Sequence, residues 1–214
     1  MTTTTTPWRN VVTPHDNIIG KPVYAGKSLI IMEYCEMGTL FDYFLGLDKK
    51  MTIEHIAVIA KSVLSAIHHL HLQNIMHNDI KPGNLGVTAA GVVKLIDFSS
   101  ASLESEEDVG QAGTVKYMAP EVLDGVSHDS RADVFSLGLT IVDLLMRGRM
   151  GAMETKESWK NKMKNMDQPV PFKDMIGKEL DDDLEDFLAL ALEKDQNKRP
   201  HADTLLEHPF LATL

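Results

Sequence analysis

Residues 77–84 read His-Asn-Asp-Ile-Lys-Pro-Gly-Asn, thirteen residues on come Asp97, Phe98 and Ser99, and Ala119-Pro120-Glu121 follows. The first two groups are bordered by apolar runs that predict short strands at Ile75-Met76, Leu85 to Val87 and Val92 to Ile96, with a turn at Ala90-Gly91. With this spacing the acidic and amide side chains fall in short loops between the predicted strands. Asp79 is then a candidate proton acceptor. Asn84 and Asp97 are candidate oxygen ligands for a hard divalent cation.

Around these loops the apolar period changes. Ile18-Ile19, Val23-Tyr24 and Leu29 to Met32 are parted by Gly20-Lys21-Pro22 and Gly26-Lys27, which predicts two short strands joined by a hairpin turn. Leu40, Phe41, Phe44 and Leu45 make one short amphipathic set. Thr52, with Glu54 close behind, opens a longer helix bearing Ile56, Ile59, Val63, Ala66, Ile67 and Leu70 on one face. Val134 to Met146 is apolar almost all round, the pattern of a helix in the middle of a domain. Residues 99–118, with the acidic run from Glu104 to Asp108, lack a sustained period and predict a surface loop. The Met-rich stretch 152–178 predicts helix plus loop, and Leu184, Phe187, Leu188, Ala191 and Leu192 another helix face. A final short helix follows Arg199-Pro200, with the proline near its first turn. No repeat and no interdomain linker is visible.

A chain of 214 residues with 43% apolar and 24% charged side chains can bury a substantial core. Its net charge of −10 argues against nucleic acid or an anionic membrane as partner and favours basic protein partners. The single cysteine, Cys35, excludes an internal disulfide and a cysteine-based zinc site, which fits an intracellular, cytoplasmic setting. Met1 and the five threonines after it have neither a basic nor an apolar region, so residues 1–10 read as a disordered lead.

In order and spacing these motifs resemble the H-R-D-x-x-x-x-N, D-F-G and A-P-E signature of eukaryotic-type serine/threonine protein kinases, roughly over residues 15 to 212. The resemblance implies an α+β, protein-kinase-like fold with a mostly helical large lobe and a two-strand remnant of the small lobe. It divides the chain into the lead 1–10, small-lobe remnant and hinge 11–35, and large lobe 36–214. It implies ATP and Mg2+ as cofactors and a protein substrate or a partner kinase as partner, with the oligomeric state open. His15-Asp16-Asn17-Ile18 resembles the loop after the regulatory helix of the small lobe, and Met32-Glu33-Tyr34-Cys35 the gatekeeper and hinge that pair with adenine. Asp79 would be the catalytic base, Lys81 the γ-phosphate contact, and Asn84 and Asp97 the metal ligands. Lys81 and Thr114, the latter within Gly113 to Glu121, follow the serine/threonine rather than the tyrosine pattern. Asp133 would anchor the catalytic loop, and Glu121 and Arg199 would form a buried ion pair.

The departures matter as much. The family's Gly-rich loop, ATP-clamping lysine and glutamate partner have no counterpart here: no glycine precedes Gly20, and the first lysine and glutamate are Lys21 and Glu33. Asn78 replaces the arginine that receives an activation-loop phosphate, so charge on Ser100, Ser102, Ser105 or Thr114 is expected to order the loop less. Ser99 replaces a glycine. Gly86 stands where the family places a side chain beneath adenine, an expected loss of about 1.5–3 kcal/mol of apolar contact. The expectation is a kinase family member whose phosphoryl transfer to serine or threonine is weak or lost in this chain. The rivals are a non-catalytic pseudokinase scaffold and a fragment of a complete kinase.

Several features read more simply. His68, His69, His71 and His77 lack carboxylate or cysteine partners at metal-ligand spacing. Cys35 reads as a passive small group, and Met150, Met153, Met163, Met166 and Met175 as gap fillers.

Overall fold

The structure, a computed structural model, describes residues 9–11, 32–46, 51–104, 113–148, 150, 156–165, 176 and 180–212. The strands expected between Ile18 and Ile31, the lead residues 1–8 and most of the acidic run lie outside the described residues.

Helices dominate. Helix α1 is Leu40–Gly46 and α2 is Ile53–His71. Thr52 caps α2 reciprocally: its Oγ1 accepts from His55 N at 3.3 Å, while His55 Nδ1 accepts from Thr52 N at 3.2 Å. Ile56, Ile59, Val63, Ala66, Ile67 and Leu70 are all buried, as their spacing predicts. Helix α3 is Pro120–Asp124, α4 is Arg131–Leu145 and α5 is Lys156–Asn165. Helix α6 is Asp182–Ala191, capped by the Asp181 carboxylate, and α7 is Ala202–Leu206. His201 is the N-cap of α7, so Pro200 stands just ahead of that helix instead of in its first turn.

Every residue of α4 from Ala132 to Leu144 is buried, and α4 packs against both α2 and α6. Met150 and Met163 are buried in the same core. Arg199 crosses beneath α4 with its guanidinium 4.7 Å from the centre of the Phe135 ring. Its Nη1 and Nη2 donate to Glu121 Oε1 and Oε2 at 2.6 and 3.1 Å, forming the expected ion pair.

The strands form two antiparallel ladders. Strand β1, Ile75–Met76, pairs with β4, Ser102–Leu103, with Met76 opposite Ser102. Strand β2, Leu85–Val87, pairs with β3, Val93–Leu95, with Gly86 opposite Lys94. Both outer edges of the second ladder are taken. Thr39 bridges Gly86 in antiparallel sense, and Met37 N donates to Val87 O at 3.0 Å. On the other side Val11 bridges Leu95 in parallel sense, Leu95 N donates to Asn10 O at 2.7 Å, and Asn10 Nδ2 donates to Val93 O at 2.9 Å. Val11 is only 4% exposed and belongs to the core. Asn10, expected to close a disordered lead, is instead fixed to β3 by two hydrogen bonds because its amide reaches a strand carbonyl.

Candidate active site

The loop from β1 to β2 is held from below by α4. Asp133 Oδ2 accepts from His77 N at 2.9 Å and Oδ1 from Asn78 N at 2.8 Å, while His71 Nε2 lies 2.9 Å from Oδ2. Burial works against this carboxylate, but the bonds from His71 and the His77 amide outweigh it and hold Asp133 below the usual carboxylate range. Asn78 has a left-handed backbone, φ 63°, a conformation that Asn tolerates better than most residues. Its Nδ2 donates to Ser100 O at 3.1 Å and to Ser102 Oγ at 2.9 Å.

Three neighbours converge on Asp79. Thr114 N donates to its Oδ1 at 2.8 Å, and Lys81 Nζ and Asn84 Nδ2 donate to its Oδ2 at 2.6 and 2.9 Å. Lys81 Nζ also donates to Thr114 Oγ1 at 2.7 Å. Burial would raise the Asp79 pKa; the Lys81 and Thr114 contacts outweigh it and keep the carboxyl ionised. A buried, ionised carboxylate with a fixed orientation is what accepting a hydroxyl proton requires. Four residues from two separate stretches of sequence, Asp79, Lys81 and Asn84 from one and Thr114 from the other, thus form one cluster.

Asn84 Nδ2 also donates to Asp79 O at 2.8 Å, so its amide nitrogen is committed and its carbonyl oxygen remains for a cation. Ile96 N donates to Asn84 O at 3.0 Å, which ties the strand end carrying Asp97 to the same loop. Asp97 is exposed with φ 62°, and its Oδ1 accepts from Ser99 N at 3.2 Å. An amide oxygen and a carboxylate suit magnesium, which draws its other ligands from phosphate and water. Among the described residues no group of three or more His, Cys, Asp or Glu side chains could hold a metal ion.

Glu33, Cys35 and Gly86 line the opposite edge. Glu33 Oε2 pairs with Lys94 Nζ at 3.0 Å. A Cβ on Gly86 would come within 2.6 Å of Cys35 Sγ and 3.0 Å of Cys35 Cβ. The space that a Gly86 side chain would begin to fill is therefore occupied by Cys35. Burial, followed by the nearby Glu33 charge, pushes the Cys35 thiol pKa up, so it is a poor nucleophile.

Reasoning from sequence singled out Asp133 but missed that its polar stripe continues along α4 at positions 136, 140 and 143. Ser136 Oγ donates to Tyr117 O at 2.8 Å and Thr140 Oγ1 to Ile80 O at 3.2 Å. Asp143 accepts from Lys116 Nζ at 3.0 Å and from Tyr117 Oη at 2.7 Å. Spacings of three and four put these side chains on one helix face, a signal present in the sequence but hidden by the apolar background. The His77 ring joins Ile96 O at 3.2 Å to Asp79 N at 3.3 Å.

The sequence profile of the protein kinase domain matches residues 9–211. The chain is 32% identical to serine/threonine-protein kinase pakG of Dictyostelium discoideum over 188 residues, covering 85% of this chain and 16% of that protein. It is 31% identical to human serine/threonine-protein kinase 10 over 214 residues, covering 92% of this chain and 21% of that protein. Mitogen-activated protein kinase kinase 2 of Arabidopsis thaliana is 32% identical over 196 residues, covering 87% of this chain and 53% of that protein. The chain spans about a fifth of the first two. On the profile and on these identities, the chain belongs to the protein kinase domain family, with serine/threonine-protein kinases among its relatives.

Proposed function

We propose that the cluster around Asp79 is a phosphoryl-transfer site acting on serine or threonine of a protein substrate, with ATP and Mg2+ as cofactors. The observation that carries this reading is the convergence of Lys81, Asn84 and Thr114 on one ionised carboxylate. Asp79 accepts the proton of the attacking hydroxyl, and Thr114 N keeps its Oδ1 aimed. Lys81 supplies positive charge toward the transferred group, and Asn84 and Asp97 supply the oxygen ligands for magnesium. Bound magnesium ATP would contribute the phosphoryl group and the charge neutralisation that lets it depart.

On its own, the 214-residue chain is a slow catalyst, because it contains neither the Gly-rich cover nor the paired lysine and glutamate that hold ATP phosphates in the family. Positioning and electrostatics supply nearly all the rate in this chemistry, so losing those contacts lowers turnover steeply. The test is a thermal melt with and without millimolar ATP and magnesium, followed by phosphate transfer to a protein substrate. At a hundred times its dissociation constant a nucleotide adds about 2.7 kcal/mol. A shift requiring both ATP and magnesium supports the nucleotide site. A cooperative melt unmoved by either sinks it and leaves a docking module for other proteins. Transfer as fast as in a complete kinase, abolished by Asp79→Asn, would refute the slow-catalyst part alone.

A further inference from the structure

Asn78 is gripped by three parts of the chain. Asp133 takes its backbone N–H from α4 at 2.8 Å. Ser100 O and Ser102 Oγ take its side-chain amide, which commits the donors on Nδ2. Gly113, at φ 102°, lies so close to Asn78 O that a Cβ there would collide with it. The segment that begins at Ser100 and the stretch that resumes at Gly113 therefore close on the same residue, immediately before Asp79. No charge takes part in the contact between Asn78 and Ser102.

We propose that Asn78 and Ser102 form an uncharged latch that positions Asp79, and that negative charge on Ser102 releases this loop instead of fixing it. The inference rests on the reading of Asp79 as the reacting carboxylate. Its sign follows from the surroundings. Asp133 faces Asn78 from α4, and Glu104 follows on the segment itself, with its Oε1 accepting from Ser130 N at 3.1 Å. The cations Arg131 and Lys81 are already engaged, with Asp129 and Asp79, and the His71 ring is bonded to Asp133. An anion at Ser102 therefore meets a neutral amide and carboxylates, and Coulomb repulsion acts at low screening. Ser102 sits opposite Met76 across the β1–β4 ladder, so repulsion there pulls directly on the strand leading into the loop.

Hydrogen exchange of the Asn78 and Asp79 amides in the full chain tests this without ATP, so the outcome is independent of whether transfer is ever detected. Ser102→Ala removes the acceptor without altering the left-handed backbone at Asn78, and should speed exchange about fivefold, the effect of one net hydrogen bond. Ser102→Thr keeps the hydroxyl and should restore protection. Ser102→Glu should exchange faster than its neutral counterpart Ser102→Gln, with the difference shrinking in about 1 M salt. Amides of α2 should stay protected in all four, showing that the fold persists. Unchanged exchange in Ser102→Ala would overturn the latch. Equal exchange in Ser102→Glu and Ser102→Gln, or slower exchange in Ser102→Glu, would overturn its sign.

Discussion

Cys35 and Gly86 share one volume: the cysteine sulfur lies 2.6 Å from where a Gly86 side chain would begin. The contact arises because Thr39 bridges Gly86 and holds the hinge against β2 as an added strand. Gly86→Ala should therefore destabilise the chain by overpacking, about 1–3 kcal/mol. The paired change with Cys35→Gly should recover most of that loss, and thermal melts of the two singles and the double would reveal the coupling. Additive effects would mean that the two residues do not compete for space.

Arg199 and Glu121 are a second coupled pair, fully desolvated beneath α4. Glu121→Ala strands a buried guanidinium and should cost about 3–5 kcal/mol. Removing both charges together, with Arg199→Met and Glu121→Leu, should cost much less than the sum of the singles. Urea denaturation midpoints measure both.

The stability should fall in two stages as acid is added. His77 is buried in its neutral form, with Nδ1 accepting from Asp79 N and Nε2 donating to Ile96 O. Burial outweighs the nearby Asp133 charge and holds its pKa below the ordinary histidine value. The unfolded chain then binds a proton first, so His77 contributes its full stability above about pH 6.5 and loses it as pH drops through the folded value. Asp79, Asp129 and Asp133 also have depressed pKa values, against their burial, through bonds from Lys81, Arg131 and His71 respectively. Their contribution is present above about pH 4 and is lost as pH falls further through the folded values. Denaturation midpoints from pH 8 to 3 would show both steps; a midpoint that stays flat down to pH 5 would rule out the first.

Val11→Asp places a charge where an apolar side chain is 4% exposed and should free the edge of β3. Leu95 N, which donates to Asn10 O, should then exchange its hydrogen at least tenfold faster than in the wild-type chain. Equal protection in both chains would show that the strand is held without this segment.

Much of the fold was legible because it depends on local periodicity. The helices at Ile53–His71 and Asp182–Ala191 and the pairing of Leu85–Val87 with Val93–Leu95 follow from spacing and turn chemistry. Asp79, Asn84 and Asp97 stood out as candidates because their spacing is itself the signal. The grip of Ser102 on Asn78 was not, since it joins residues 24 apart through the register of β1 on β4. Nor was the contact of Cys35 with Gly86, which needs the hinge to lie as a strand on β2. The stripe on α4 was readable in principle, but Ser136 and Thr140 look unremarkable until the carbonyls they reach are in place.

The β2–β3 hairpin has its two sides closed by the chain's own early residues, Thr39 on one and Val11 on the other. An open ladder of amides and carbonyls is a template on which another copy can continue pairing. Here the template is capped from within, and among the described residues of that early segment, 9–11, Val11 is the one buried side chain. Whatever loosens Val11 therefore uncovers the backbone edge of β3, the kind of edge on which a further strand can pair.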